Sequence, residues 1–283
     1  MVMERVRKAL WYIESHLDRP VTLDELADVA GLSRFHLSRR FAEATGRSFS
    51  THLRGRRLSE AARQLADGAP DILSVALAAG YGSHEAFSRA FRDQFGLTPD
   101  GVRSKGELAT LKLVEPILMS DFAAITMEDP EIRAVQTLLL CGLRRYYRYE
   151  ERAGIPLLWQ RFGPHIGTIP GQTLQGDAYG VCLRAEDDAV EGFDYLAAVP
   201  MRSLNDLPGG LVGVRIPAST FAVFQHPGHV SEIGATCAAA GEWLAKTGRA
   251  QPGVAVMMVE YYPPSFDPLS GLGGSEVWVP VRP

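Results

Sequence analysis

The sequence has few cysteines and no long apolar run, and each absence excludes a class of protein. Three cysteines in 283 residues, none close to another along the chain, are too few for a disulfide framework or a zinc cluster. No apolar stretch approaches the roughly 18 residues of a membrane span, and charges interrupt the N-terminal apolar residues, unlike a signal peptide. We therefore expect a soluble, cytoplasmic protein with no metal, no cofactor and no membrane partner.

A strong charge of one sign is also lacking. The net charge is -4, with 16 Lys+Arg against 14 Asp+Glu in residues 1–107 and 13 against 19 in the remainder. A surplus of two positive charges is weak evidence for a polyanionic partner. The length favours two domains, each with its own core.

The apolar periodicity changes near residue 120. Before it, apolar residues recur at helical spacing; after it come a helix over 231–247 and short β-rich segments bounded by Gly and Pro. Those segments are 221–228, 254–263 and 275–281. We predict a multidomain protein with an all-α N-terminal domain at 1–107, a linker at 108–119 that docks on its surroundings, and an α+β domain at 120–283.

One short pattern occurs twice in the first domain. GLSRFHLSRRF (31–41) and GYGSHEAFSRAF (80–91) align on their last Phe, so that Ser33 matches Ser83 and Arg39 matches Arg89. Each copy has a Gly turn, a Ser in the N-cap position and a short helix, and residues 51–66 read as a connecting helix. A capped helix after a tight turn, with polar residues outward, is typical of a helix-turn-helix recognition helix.

The outward faces of both copies carry side chains that match DNA. Arg39 and Arg89 suit the guanine edge, while Glu85 suits cytosine N4 and Phe35 the thymine methyl group. Phosphate contacts are expected from the helix N-termini and from Ser33, Ser83, Arg40 and Arg54. A merely solvated surface would explain one copy, but two matched copies favour contact with double-stranded DNA.

Residues 5–104 resemble the DNA-binding domain of the AraC/XylS family of bacterial transcription regulators. The resemblance rests on LDELADVAGLSRFHLSRRFAEATG, the connecting RRLSEAARQL and SVALAAGYGSHEAFSRAFRDQFGLTP. It implies two recognition helices in successive major grooves, about 34 Å apart, on an asymmetric bipartite site. The family's base-contacting positions fall on Phe35, Ser38, Arg39, His84, Glu85, Ser88 and Arg89, with Arg40 and Arg92 as further DNA-contacting candidates. The family more often has an amide or hydroxyl residue at position 85, so we expect the second half-site to be read differently.

Residues 120–283 resemble the gyrase-inhibitor-like (GyrI-like) effector-binding domain of multidrug-responsive regulators. The matching segments are VRIPASTFAVFQHPG (214–228), EWL (242–244), VEYYP (259–263) and SEVWVPV (275–281). The resemblance implies two similar α+β modules around a pocket. It also implies a carboxylate near the last strand that faces the ligand, and in this sequence the matching residue is Glu276. A DNA-binding module followed by a sensor is the order of Rob-like proteins.

Alternation along the last strand puts Glu276 and Trp278 on one face, opposite a packing face of valines. A carboxylate beside an indole suits a lipophilic cation, and a wet polar face is the alternative. Other candidate ligand-binding side chains are Trp159, Phe224, Glu260, Tyr261 and Tyr262. His226 and His229 flank a turn without further metal ligands at suitable spacing, so we expect them at the surface or bonded to the turn.

Glu260 and Glu276 on neighbouring strands raise an enzyme hypothesis, since paired carboxylates can perform acid–base chemistry. No nucleophile–base motif or phosphate-binding glycine loop accompanies them, so we predict no enzyme. The favoured interpretation is a transcription regulator whose DNA affinity, or contact with RNA polymerase, changes when a small lipophilic, possibly cationic, molecule fills the C-terminal pocket. The alternative is that the C-terminal domain is a small-molecule hydrolase or a protein-interaction module.

Overall fold

The computed structural model describes residues 2–119, 128–173, 175–185 and 191–282. The chain divides into two compact units, Met1–Ile117 and Leu118–Pro283. The predicted start of the second domain, residue 120, lies outside the described residues. None of the helices described is long and apolar enough to cross a membrane.

The first unit is helical, as its apolar periodicity predicts. Thr22 and Glu25 form a capping box at the start of the second helix, and Ser33 and Ser83 cap the two recognition helices, as predicted. The described helices are α1 (Val2–Glu14), α2 (Leu23–Ala30), α3 (Arg34–Thr45), α4 (Phe49–Ala66), α5 (Ile72–Ala78), α6 (His84–Phe95) and α7 (Pro99–Lys105).

Helix α4 connects the two helix-turn-helix motifs, α2–α3 and α5–α6. Leu37 and Phe41 of α3 are fully buried, and so are their counterparts Phe87 and Phe91 of α6. Each recognition helix is thereby held to its own core by two large side chains one turn apart. The duplicated sequence pattern is a duplicated structure.

The segment predicted to be a linker packs on α4. Leu111 is buried, the Val114 N–H donates to Ser59 Oγ at 2.7 Å, and the Val114 carbonyl accepts from Arg56 at 2.8 Å. Gly55 makes room for this contact, because a Cβ there would lie 2.7 Å from Val114 Cγ2. The expected docking is confirmed, and the first compact unit extends to Ile117.

The second unit repeats one order of elements, strand–strand–helix–strand–strand. The first set is β1 (Glu131–Val135), β2 (Leu138–Arg148), α8 (Ile155–Phe162), β3 (Ala178–Arg184) and β4 (Gly192–Pro200). The second set is β5 (Val212–Ile216), β6 (Ser219–His226), α9 (Ile233–Thr247), β7 (Val256–Tyr262) and β8 (Ser275–Pro280). All pairs are antiparallel, in the order β1-β6-β8-β7-β3-β4-β2-β5. Two similar α+β modules, which exchange their first strands, are therefore confirmed.

Both helices of this unit cover the same side of the sheet, called here the helix face. Ala197, Gly180, Glu260 and Val277 follow one another across four neighbouring strands, and directly opposed residues share a face. Ala197 packs in the cluster of α8, and Val277 packs in the cluster of α9. The opposite side, called the inner face, is lined by a core that joins strands from both ends of the sheet, so the sheet curls around it.

The turn histidines differ from their prediction in one respect. His226 and His229 are both buried, 4% and 5% exposed, so a surface position is wrong. His226 bonds through Nδ1 to Thr236 Oγ1 and through Nε2 to the carbonyl of His229. Burial and these bonds to its own turn make His226 a structural residue.

Candidate DNA-binding face and effector site

The first recognition helix presents its predicted contact residues to solvent. Phe35 is 73% exposed, which is unusual for a phenylalanine, and its ring meets that of His36 edge to face, with centroids 5.9 Å apart. Arg39 and Arg40 are also exposed, and both bond to Glu43, at 2.8 and 2.9 Å. Surface ion pairs of this kind are weak, so they are readily exchanged for contacts with a base or a phosphate. Ser38 is exposed on the same helix.

The second recognition helix is its structural match, with a different charge pattern. His84, Glu85, Arg89 and Arg92 are exposed, and Ser88 is half-buried. Hydrogen bonds from its own backbone N–H and from Ser83 hold the pKa of Glu85 below its ordinary value. An ionised carboxylate at this position repels phosphate and is matched by a cytosine amine.

Glu276, the sequence-predicted reader of a ligand charge, lies on the inner face and is already paired. Arg133 Nη1 lies 2.9 Å from its Oε2, Gln225 Nε2 donates to Oε1 at 2.9 Å, and Trp278 Nε1 donates to Oε2 at 2.7 Å. Arg133 also lies over the Trp278 ring, 5.9 Å from its centroid. Burial raises the pKa of Glu276, but these hydrogen bonds outweigh it and leave the pKa lowered.

The chain therefore places its own cation where the sequence suggested a ligand cation. Tyr261 shares the inner face, since it pairs directly with Glu276, and its hydroxyl donates to Asp177 at 2.8 Å. The inner-face carboxylate has a guanidinium, an amide and an indole as partners. The negative charge of Glu276 is already balanced by Arg133.

Glu260 is in the opposite situation. It pairs with Val277, not with Glu276, and so lies on the helix face. The two carboxylates do not form a pair, and the geometry on which the enzyme hypothesis depended is wrong. The pairing of Tyr261 with Glu276 fixes this outcome together with strand alternation, because Glu260 and Tyr261 are consecutive and point to opposite sides.

Three aromatic side chains surround Glu260. The hydroxyls of Tyr195 and Tyr262 donate to Oε2 at 2.5 and 2.9 Å, and Trp159 Nε1 donates to the Tyr195 hydroxyl at 3.0 Å. Glu260 is 7% exposed. Burial raises the pKa of Glu260 above its ordinary value, and the two tyrosine hydrogen bonds offset this only in part. Burial also raises the pKa of Tyr195 and Tyr262, which remain hydroxyl donors.

Glu260 lies on the strands between the two helices. Helix α8 packs on β2 and β4, while α9 packs on β6 and β8, and β3 and β7 run between these groups. Cys182 and Met258, paired across β3 and β7, remain half-buried, as does Trp159 of α8. These three side chains therefore keep part of their surface accessible, on the same strands and helix that hold the buried Glu260 carboxylate.

Two residues of these clusters were not predicted from the sequence. Tyr195 lies in FDYLAAVP, where only the apolar alternation of a strand is visible. Its contact with Glu260 requires Gly180, because a Cβ there would lie 2.0 Å from the Tyr195 hydroxyl oxygen. Arg133 lies far from Glu276 in the sequence and reaches it only through the pairing of β1 with β6 and of β6 with β8.

The remaining aromatic candidate has a packing role. Phe224 is 2% exposed and meets Trp243 of α9 edge to face, with ring centroids 5.6 Å apart. It belongs to the core under α9. In the described ranges no group of three or more His, Cys, Asp or Glu side chains could hold a metal ion.

Comparison with known proteins agrees with both units. A helix-turn-helix domain model matches residues 26–105, and the GyrI-like small molecule binding domain model matches residues 128–282. Transcriptional regulator Rob of Salmonella typhimurium is 31% identical over 230 residues, 79% of this chain and 78% of that protein. Right origin-binding protein of Escherichia coli is 34% identical over 172 residues, 58% of each chain.

A shorter relative matches the first unit alone. Regulatory protein SoxS of Escherichia coli is 34% identical over 100 residues, 35% of this chain and 94% of SoxS. The duplicated helix-turn-helix unit thus occurs with and without a following GyrI-like domain. This protein belongs to the Rob-like transcriptional regulators, in which an AraC-type DNA-binding unit precedes a GyrI-like small molecule binding domain.

Proposed function

We propose that this protein binds a bipartite DNA site through α3 and α6, and that a lipophilic cation bound at Glu260 modulates its transcriptional output. The observation that carries the sensor part is a buried carboxylate whose partners are two neutral hydroxyls. In the part of the chain that the structure describes, no lysine or arginine forms an ion pair with it. A buried carboxylate without a cation is costly when ionised, and a bound cation would remove that cost.

The surroundings of Glu260 define the class of ligand. Trp159, Tyr195 and Tyr262 offer aromatic faces and edges, which attract organic cations that shed water easily. Met258 of β7 and Cys182 of β3 add polarisable apolar surface. A quaternary ammonium or phosphonium ion with an aryl group fits these requirements better than a hydrated amine.

The DNA part rests on the two matched recognition helices. Arg39 and Arg89 are the proposed guanine readers, Phe35 and Glu85 the proposed contacts that distinguish the two half-sites, and Arg40 and Arg92 the proposed phosphate contacts. Ser38, His84 and Ser88 complete the proposed contact set. RNA polymerase is the proposed protein partner, and the second unit has no proposed turnover.

The experiment uses the full chain. A duplex selected from a random pool by the protein supplies the operator, and calorimetry then measures binding of a naphthyl-bearing quaternary ammonium ion and of its neutral tert-butyl isostere. We expect the cation to bind at least about thirtyfold more tightly than the isostere, since one partner of a buried charge pair is worth 2 kcal/mol or more. Glu260→Gln should abolish the difference. Equal binding of both compounds, or recovery of a chemically altered ligand, would refute the sensor part.

A further inference from the structure

A second cleft lies inside the first unit, between the two helix-turn-helix motifs. It is open to solvent and has a volume of about 420 Å³, within the range of small-molecule sites, roughly 300–1,000 Å³. Its floor is apolar, formed by valine, leucine, phenylalanine and alanine side chains. Its polar side chains are Ser50, Arg54 and Arg57 of α4 and Tyr81 of the turn before α6.

The Tyr81 hydroxyl is buried, and no hydrogen-bond partner for it exists among the described residues. A buried hydroxyl without a hydrogen-bond partner lowers stability, and an acceptor supplied by a ligand removes that penalty. Its ring packs edge to face on Phe87, with centroids 5.5 Å apart, which fixes where the hydroxyl lies. Burial raises the pKa of Tyr81, so the hydroxyl is a donor at neutral pH.

The two guanidinium groups add positive charge without a matching carboxylate. Arg57 is half-buried and donates to two backbone carbonyls, those of Leu17 and Arg19. Burial lowers its pKa, and Asp18 offsets this only in part. Arg54 is exposed at the cleft, and within the described ranges neither arginine forms an ion pair. Two cations and the Tyr81 hydroxyl donor therefore converge beside an apolar floor.

The position of the cleft favours a compact ligand over the DNA backbone. Ala90 lines the cleft and lies on α6 about 100° around the axis from Arg89 and about 140° from Glu85, at 100° per residue. The cleft is thus turned away from the base-reading side of that helix. A half-buried guanidinium and an apolar floor also suit a ligand that enters the cleft.

We propose that this cleft binds a small organic carboxylate with a short apolar body. The carboxylate accepts from Tyr81 and pairs with Arg54 and Arg57, and the apolar body lies on the floor. The ligand contacts α4 and the turn of the second motif together, so it fixes the second recognition helix relative to the connecting helix. This site is separate from Glu260, and neither proposal depends on the other.

The test is calorimetry of octanoate on the full chain, with octanol and octylamine as matched controls for charge. Octanoate should bind at least tenfold more tightly than either control. Tyr81→Phe removes only a hydroxyl that has no partner, so the fold is kept, and we expect an affinity loss of about tenfold. Arg54→Gln should lose a similar factor, while Glu260→Gln should bind octanoate as the wild type does.

Four results would overturn the proposal. One is absence of octanoate binding at millimolar concentration. A second is wild-type affinity for octanoate in both Tyr81→Phe and Arg54→Gln. A third is loss of octanoate binding in Glu260→Gln, which would place octanoate in the second unit. The fourth is no octanoate binding combined with an equal loss of affinity for selected and random DNA in Tyr81→Phe and Arg54→Gln, which would assign the cleft to the DNA backbone.

Discussion

Tyr261 pairs directly with Glu276 across β7 and β8, while the preceding Glu260 pairs with Val277. The carboxylates of Glu260 and Glu276 therefore lie on opposite faces of one sheet. Glu276 is held by Arg133, and Glu260 is held by tyrosine hydroxyls alone. Their different partners predict different consequences of the same Glu→Gln change.

Glu276→Gln should lower stability and leave cation binding unchanged. The change weakens charge-assisted hydrogen bonds to a side chain that is 14% exposed, and we expect a loss of about 1–3 kcal/mol in the free energy of unfolding. Urea unfolding of the full chain measures it. A Glu276→Gln protein that loses cation affinity would move the ligand site to the inner face.

Affinity for a permanent cation should rise with pH. The pKa of Glu260 is raised above its ordinary value of 4.5, and the cation binds the ionised carboxylate. Below the raised pKa, binding must release a proton, so the affinity falls toward tenfold for each pH unit. Above that pKa the affinity levels off. Calorimetry in two buffers of different ionisation enthalpy measures the released proton, and the neutral isostere should release none.

The first unit should lose stability in acid, and His52 should account for part of the loss. His52 is fully buried beside Phe41, and burial, with Arg56 and Arg47, lowers its pKa from 6.5 to about 4. Between these values the unfolded chain binds a proton that the folded chain refuses, so stability falls as pH drops from 6.5 and stops falling near 4. The His52 contribution is about 3 kcal/mol.

The control for this prediction is His52→Leu, which cannot titrate. Acid also protonates carboxylates, so the relevant quantity is the difference in the free energy of unfolding between wild type and His52→Leu at each pH. That difference should change between pH 6.5 and 4 and stay constant above pH 7. A constant difference over the whole range would show that His52 has the same pKa in the folded protein as in the unfolded chain, which would contradict the prediction.

Arg39→Ala and Arg89→Ala should each cost about 1–3 kcal/mol on the selected duplex, because each removes a proposed bidentate contact with a guanine. Each should relax one base position in a repeated selection. Lys246→Ala, an exposed lysine of α9, is the matched control for loss of one positive charge. Competition binding with random DNA distinguishes base contacts from phosphate contacts. Equal losses of affinity on both duplexes would make these arginines phosphate contacts.

The sequence was most informative where a pattern repeats. The two capped recognition helices, the connecting helix and the strands near the C-terminus could all be predicted, because caps, Gly turns and periodicity are local signals. The apolar content of the segment around Val114 predicted that this segment docks. It did not predict that the segment docks at Gly55 of α4.

The remaining features of the candidate site could not be predicted, because they depend on how strands distant in the sequence pair with one another. Which face Glu260 takes depends on its pairing with Gly180 and Val277, and no local signal reports that pairing. Arg133 reaches Glu276 through two strand pairings, so a carboxylate beside a tryptophan looked available when it was already neutralised. The buried state of His226 was missed because a Pro-Gly turn resembles a surface turn even when it packs under a helix.

The central claim is that one chain links a cation at Glu260 to DNA. The most direct measurement is fluorescence anisotropy of the selected duplex with the full chain, titrated with the quaternary ammonium ion or its neutral isostere, in wild type and Glu260→Gln. We expect the cation, and not its isostere, to change the affinity for DNA or the recruitment of RNA polymerase by the complex, in wild type and not in Glu260→Gln. Cation binding that leaves both quantities unchanged, or the same change in Glu260→Gln, would contradict it.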